Sequence, residues 1–209
     1  MKQDVEDRLT INLSRVRNLI ARYPATGSGR RSVEDSDLLR AAVVLLHATL
    51  EDVVRGVLEW KLPGAASDGF ADMVLAGFDE KGKHLTGEKF TVSQLAQHRG
   101  KTVDAVLVET VRAYLARSNY NHPGDIDEAL VRIGLSKTLV DPSLRARTYA
   151  MMTRRHWIVH RADRHEAPAP GGSSGRGRGN YAARTIDKPT VERWLDAVET
   201  LTATILSRC

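Results

Sequence analysis

The chain has 209 residues, 42% hydrophobic, 27% charged and 5% aromatic, which suits one compact domain and excludes a wholly disordered chain. Its longest apolar run, Ala41–Leu46, is far too short to span a membrane, and Met1-Lys2-Gln3-Asp4 lacks the apolar core of a signal peptide. Cys209 is the only cysteine, so no internal disulfide or cysteine-based zinc site can form, and a soluble cytoplasmic protein is expected.

The net charge of +5 is unevenly placed. Arg145 to Arg184 holds nine arginines, no lysine and two acids (Asp163, Glu166), a surplus of seven positive charges, while the rest carries 22 basic and 24 acidic residues. Such a stretch either attracts polyanions or forms a solvated basic face.

In chain order, the spacing of Val5, Leu9, Val16, Leu19 and Ile20 predicts a helix ended by Pro24. With the polar linker Ala25–Arg31 it forms an N-terminal unit, residues 1–31, ahead of a main helical domain, 32–209. Ser36 to Leu62 predicts the central helix. Leu39, Val43, Leu46, Leu50, Val53 and Val57 form its stripe, widened by Leu38, Ala42 and Leu45, and Pro63-Gly64 stops it. Gly69, Gly77, Gly82 and Gly87 interrupt the next stretch, leaving short helices near Asp68–Leu75 and Val92–Gln97.

Thr102 caps a helix over Val103–Arg117, with Val103, Val106, Leu107 and Val111 inward. Asn119 to Gly124 reads as a turn, and a short helix runs from Asp125 through Ile133. Asp141-Pro142, a cap followed by proline at the first helical position, opens a helix reaching about His165. Pro168 to Asn180 is an irregular Gly-rich insertion containing Gly-Arg-Gly-Arg-Gly, and Tyr181–Ile186 is extended. The last helix starts near Pro189 and keeps Val191, Trp194, Leu195, Val198, Leu201 and Ile205 on one face. Without repeats or alternating strands, the class is all-α.

The chemistry-bearing residues concentrate in Arg154-Arg155-His156-Trp157-Ile158-Val159-His160-Arg161-Ala162-Asp163-Arg164-His165. At 100° per residue, Leu144, Thr148, Met151, Ile158 and Ala162 form a narrow apolar stripe with Arg155 in its middle. A guanidinium there needs a partner, a cleft or a subunit interface; Glu51 or Asp52 of the central helix could pair with it or orient it. His156 and His160 share one flank, about 100° and 140° from Arg155, so a second copy of the helix would help to assemble a site. A pair of histidines four apart also permits a metal half-site with Asp163 and His165, although the Glu of a His-Glu-x-x-His site is missing. His47, Glu51 and Arg55, spaced by four, suit a structural network, and Trp60, Trp157 and Trp194 suit core or interface positions.

Arg155-His156-Trp157-Ile158-Val159-His160 resembles the Arg-x4–6-His signature of the HEPN superfamily, with His156 as the polar residue after the arginine. Ile158-Val159-His160-Arg161-Ala162-Asp163, the helix around Leu46-His47-Ala48-Thr49-Leu50-Glu51-Asp52, and Ser118, Asn119, Asn121, Pro123 and Ile126 are similar to prokaryotic defence and toxin-antitoxin members. The resemblance spans roughly residues 36–206 and implies a helical bundle that dimerises through its motif helices. It also implies a composite, metal-independent endoribonuclease site without cofactor, using 2′-hydroxyl attack on RNA. The implied roles are acid/base for His160, phosphate stabilisation for Arg155 and orientation for His156, with Arg154 as a competing motif arginine. Arg154, Arg161, Arg164, Arg176 and Arg178 would contact the RNA backbone, and an antitoxin protein is a further possible partner. A catalytically silent module binding nucleic acid, nucleotide or a protein partner is the alternative, and a metal-dependent hydrolase the third reading.

Overall fold

The computed structural model describes residues 1–24, 33–71, 73–76, 92–164 and 183–209. They are all-α: α1 (Lys2–Arg22), α2 (Val33–Lys61), α3 (Val92–Ala96), α4 (Val103–Arg117), α5 (Pro123–Arg132), α6 (Pro142–Arg161) and α7 (Lys188–Arg208). Among the described residues the only β-type pairing is an isolated bridge between Arg164 and Ala183.

α2 is the central element. Its expected stripe from Leu39 to Val57 is buried, and α1, α6 and α7 pack around it. Gly56 sets the approach of α1, because a Cβ there would stand 2.8 Å from a Val5 methyl. α7 brings Val191, Leu195, Val198, Leu201 and Ile205 to the same core, and no described helix is long and apolar enough to cross a membrane.

Thr102 caps α4, its hydroxyl accepting from the Ala105 N–H at 3.2 Å. Val103, expected inward, is instead 75% exposed, because the first turn of α4 extends beyond the core and burial begins at Thr110 and Val111. The helix expected over Asp68–Leu75 is only a 3-10 turn, Ser67–Phe70. Gly69 lies against the Arg132 carbonyl, 2.6 Å from where its Cβ would be, so this segment is fitted to α5 rather than wound as an independent helix. α5 starts earlier than expected: His122 caps it, Pro123 takes the first position, and Asp125 returns a 2.8 Å bond to the His122 N–H. The linker 25–31, the middle of the glycine-interrupted stretch and the insertion 168–180 lie outside the described residues.

Candidate functional site

Both ends of α6 are fixed by local chemistry. At the start, the Asp141 carboxylate accepts from the Ser143 and Leu144 N–H groups at 2.8 and 3.2 Å and from the Ser143 hydroxyl at 2.5 Å. These bonds, the hydroxyl's above all, hold its pKa below the usual carboxylate range. At the other end the helix stops at Arg161 rather than near His165, because Ala162 and Asp163 take left-handed φ of 49° and 54°. Ala162, expected on the apolar stripe, is consequently exposed.

The reversal carries Asp163 into the core, where it is fully buried. Its Oδ2 accepts from Arg40 Nε at 2.8 Å and from Arg154 Nη2 at 2.7 Å. Arg40 and Arg154 also donate to the Arg184 carbonyl at 2.8 and 3.1 Å, and Arg154 to the Thr185 carbonyl at 2.9 Å. Arg154 thus joins the end of α6 to the segment that leads into α7, with a 16% exposed side chain. Asp163 is likewise withdrawn from the metal-ligand set considered for His156, His160 and His165. His165, Arg176 and Arg178 lie outside the described residues.

Arg155 stands on another side of α6, half-buried against α2 and the turn before α5. Its Nη1 donates to Asn121 Oδ1 at 3.2 Å, and its Nε is buried without a partner among the described residues. The expected pairing with an acid of α2 is absent. Glu51 accepts from Arg55 Nη2 at 2.9 Å and stands 4.0 Å from His47 Nδ1. Asp52, one residue on and therefore turned about 100° round α2, accepts from Arg8 of α1 at 3.0 Å. Arg55 continues the network to the Leu115 and Ser118 carbonyls, which fixes the turn that presents Asn121.

His47 lies 2% exposed beneath Arg155. Burial, followed by the positive charge of Arg155, pushes its pKa below 6.5, against the opposing effects of Glu51 and the Tyr120 backbone. The neutral imidazole is therefore the favoured form, and the Arg155 charge is felt inside the fold.

His156 and His160 project from the exposed flank of α6, their ring centroids 4.7 Å apart and their planes inclined by 46°. Among the described residues neither imidazole has a hydrogen-bond partner. Trp157 is half-buried, with the Arg184 and Arg161 guanidinium carbons 3.9 and 4.5 Å from its ring centroid. Arg161 and Arg164 are exposed beside this end of the helix. One chain therefore gathers Arg155, His47, Glu51 and Asn121 into one cluster and Arg40, Arg154, Asp163 and Arg184 into another, with the histidine pair outside both. No family model, curated protein or solved structure matches this chain.

Chemically, the exposed histidine pair offers imidazole nitrogens that can donate to or accept from a ligand. Arg155 offers an anion a cation whose hydrogen-bonded partner is a neutral amide. Arg40 has a readable signal of its own, since one arginine between Leu39 and Ala41 on a helix apolar over most of its circumference points to a buried acid elsewhere, here Asp163. Asn121 belonged to a suggestive turn but had no assigned task.

Proposed function

We propose that the protein is a metal-independent endoribonuclease of the HEPN type, a helical bundle that works as a homodimer, as the toxin or effector of a toxin-antitoxin or defence system. The observation carrying this reading is the setting of Arg155, whose guanidinium donates to the Asn121 amide and pairs with no carboxylate among the described residues. The buried guanidinium groups of Arg40 and Arg154 share a carboxylate, whereas Arg155 is held by Asn121. A cation whose partner is a neutral amide, on the same helix as two exposed histidines, suits a phosphodiester. Its neutral partner also supports Arg155, rather than Arg154, as the motif arginine.

In the proposed reaction the RNA 2′-oxygen attacks the adjacent phosphorus and gives its proton to a base. The bond from phosphorus to the 5′-oxygen breaks, and the leaving oxygen takes a proton from an acid. The products are a 2′,3′-cyclic phosphate and a 5′-hydroxyl. His160 serves as acid/base, His156 orients, and Arg155 stabilises charge developing on the phosphoryl oxygens. Because Arg155 and His160 lie about 140° apart on one helix, a two-fold pairing of motif helices supplies each site with groups from both copies.

The test is RNA cleavage in excess EDTA with analysis of the product ends. His160→Ala is expected to lower the rate on the order of 10²- to 10⁴-fold with fold and dimer retained, and Arg155→Ala by a similar factor. The arginine variant needs a melting check first, because Arg155 also holds Asn121. Mixing the two variants is expected to restore part of the activity, since one composite site of the mixed dimer keeps both groups. A mixture as inactive as its parents, or a monomer by light scattering at micromolar concentration, contradicts the composite site. Equal cleavage of DNA contradicts 2′-hydroxyl attack.

A further inference from the structure

A groove of about 790 Å³ runs between the start of α5 and the first half of α6. Pro123, Val140, Pro142, Ala146 and Tyr149 supply its apolar lining, and Lys137 and Arg145 are the only charged side chains on it. Tyr149 is 54% exposed, so its side chain is open to a ligand in the groove. Arg145 is partly neutralised by Asp127, 2.7 Å away, while Lys137 is exposed at the rim.

Two features tie the groove to the candidate site. Tyr149, His156 and His160 are seven and four residues apart, so all three face the same exposed side of α6, with Tyr149 about 10 Å along the axis from His156. The turn that presents Asn121 to Arg155 also supplies His122, Pro123 and Gly124 to the groove wall.

We propose that this groove is a nucleobase subsite for single-stranded RNA, in which a base flanking the scissile phosphate stacks on Tyr149 and the adjoining backbone passes Lys137. Its apolar lining, the exposed Tyr149 and the exposed Lys137 at its rim match a planar base attached to an anionic backbone. The assignment rests on the ribonuclease reading for the strand's course toward His160. Stacking accepts any base, so the subsite confers affinity and placement more than sequence choice.

The experiment measures fluorescence anisotropy of labelled oligouridylate and oligoadenylate with the full chain carrying His160→Ala, so that binding is read without turnover. Adding Tyr149→Ala is expected to weaken both probes about tenfold or more, while Tyr149→Phe retains binding. Gly124→Leu tests the groove by narrowing it. Gly124 lines the groove and a Cβ there meets nothing within 4 Å, so a larger side chain narrows the groove wall without displacing the core, and binding is expected to fall. Unchanged affinity with Tyr149→Ala overturns the subsite, whether or not the wild-type chain cleaves RNA. Binding lost with Tyr149→Ala, in a wild-type chain that never cleaves, supports the subsite and overturns the ribonuclease reading. If either groove variant converts a dimer to monomer in sedimentation, a second copy occupies the groove and the proposal is overturned.

Discussion

At the scale of single residues, α6 carries two neighbouring arginines with opposite environments. Arg154 shares Asp163 with Arg40 inside the protein, and Arg155 faces an amide. Asp163→Ala would leave two guanidinium groups with little water and no shared anion, a loss of about 3–5 kcal/mol expected as a lowered urea midpoint. The exposed Arg112–Glu59 pair contributes less than about 1 kcal/mol by comparison, because solvent screens it. His47 gives a pH dependence of defined sign. Its folded pKa lies below 6.5, so as the pH falls through 6.5 the unfolded chain takes up the proton first. By urea denaturation, stability is expected to decline as the pH falls through 6.5, and His47→Gln is expected to flatten that decline. The sequence shows that Arg155 interrupts an apolar stripe, since periodicity is local information. It does not show which partner meets the guanidinium, because Asn121 reaches it through a turn and Asp163 reaches Arg154 through a reversal of the chain.

At the scale of elements, Gly56 sets helix propensity against packing. Gly56→Ala favours α2 by about 1 kcal/mol on propensity alone. The added methyl would stand 2.8 Å from a methyl of buried Val5, and relieving that overlap costs about 1–3 kcal/mol. A net loss of stability is therefore expected in thermal melts, where an exposed helical site would give a gain. The long helices are legible in the sequence because their signals are local: Thr102 before α4, Asp141-Pro142 before α6, and Asp187 with Pro189 at the start of α7. The signals fail where a distant contact decides. Gly69 is shaped by the Arg132 carbonyl, and the last turn expected of α6 is given up to bury Asp163. His122-Pro123-Gly124-Asp125 held a readable capping pattern, one in which histidine stands where serine, threonine or an acid is usual.

At the scale of the whole molecule, the surplus of seven positive charges between Arg145 and Arg184 divides by role. Arg154 is consumed by the core and Arg145 is paired with Asp127, while Arg161 and Arg164 are exposed near the histidines. On the proposed function, RNA affinity is expected to fall steeply with salt, and each phosphate contact removed by mutation to lower the slope of log affinity against log salt by roughly one. Arg176→Ala combined with Arg178→Ala tests the Gly-rich stretch in this way. An unchanged slope in a salt titration would place both residues outside the RNA contact.

The bridge between Arg164 and Ala183, reinforced by the 2.7 Å bond from the Arg184 N–H to the Asp163 carbonyl, joins the two flanks of residues 165–182. Between flanks held by the fold, a change of chain length carries little thermodynamic weight, since closure entropy costs only about 0.6 kcal/mol per doubling of loop length. The consequence is evolutionary. Descendants of this sequence can change the length and charge between these flanks while the helices inherit the same core.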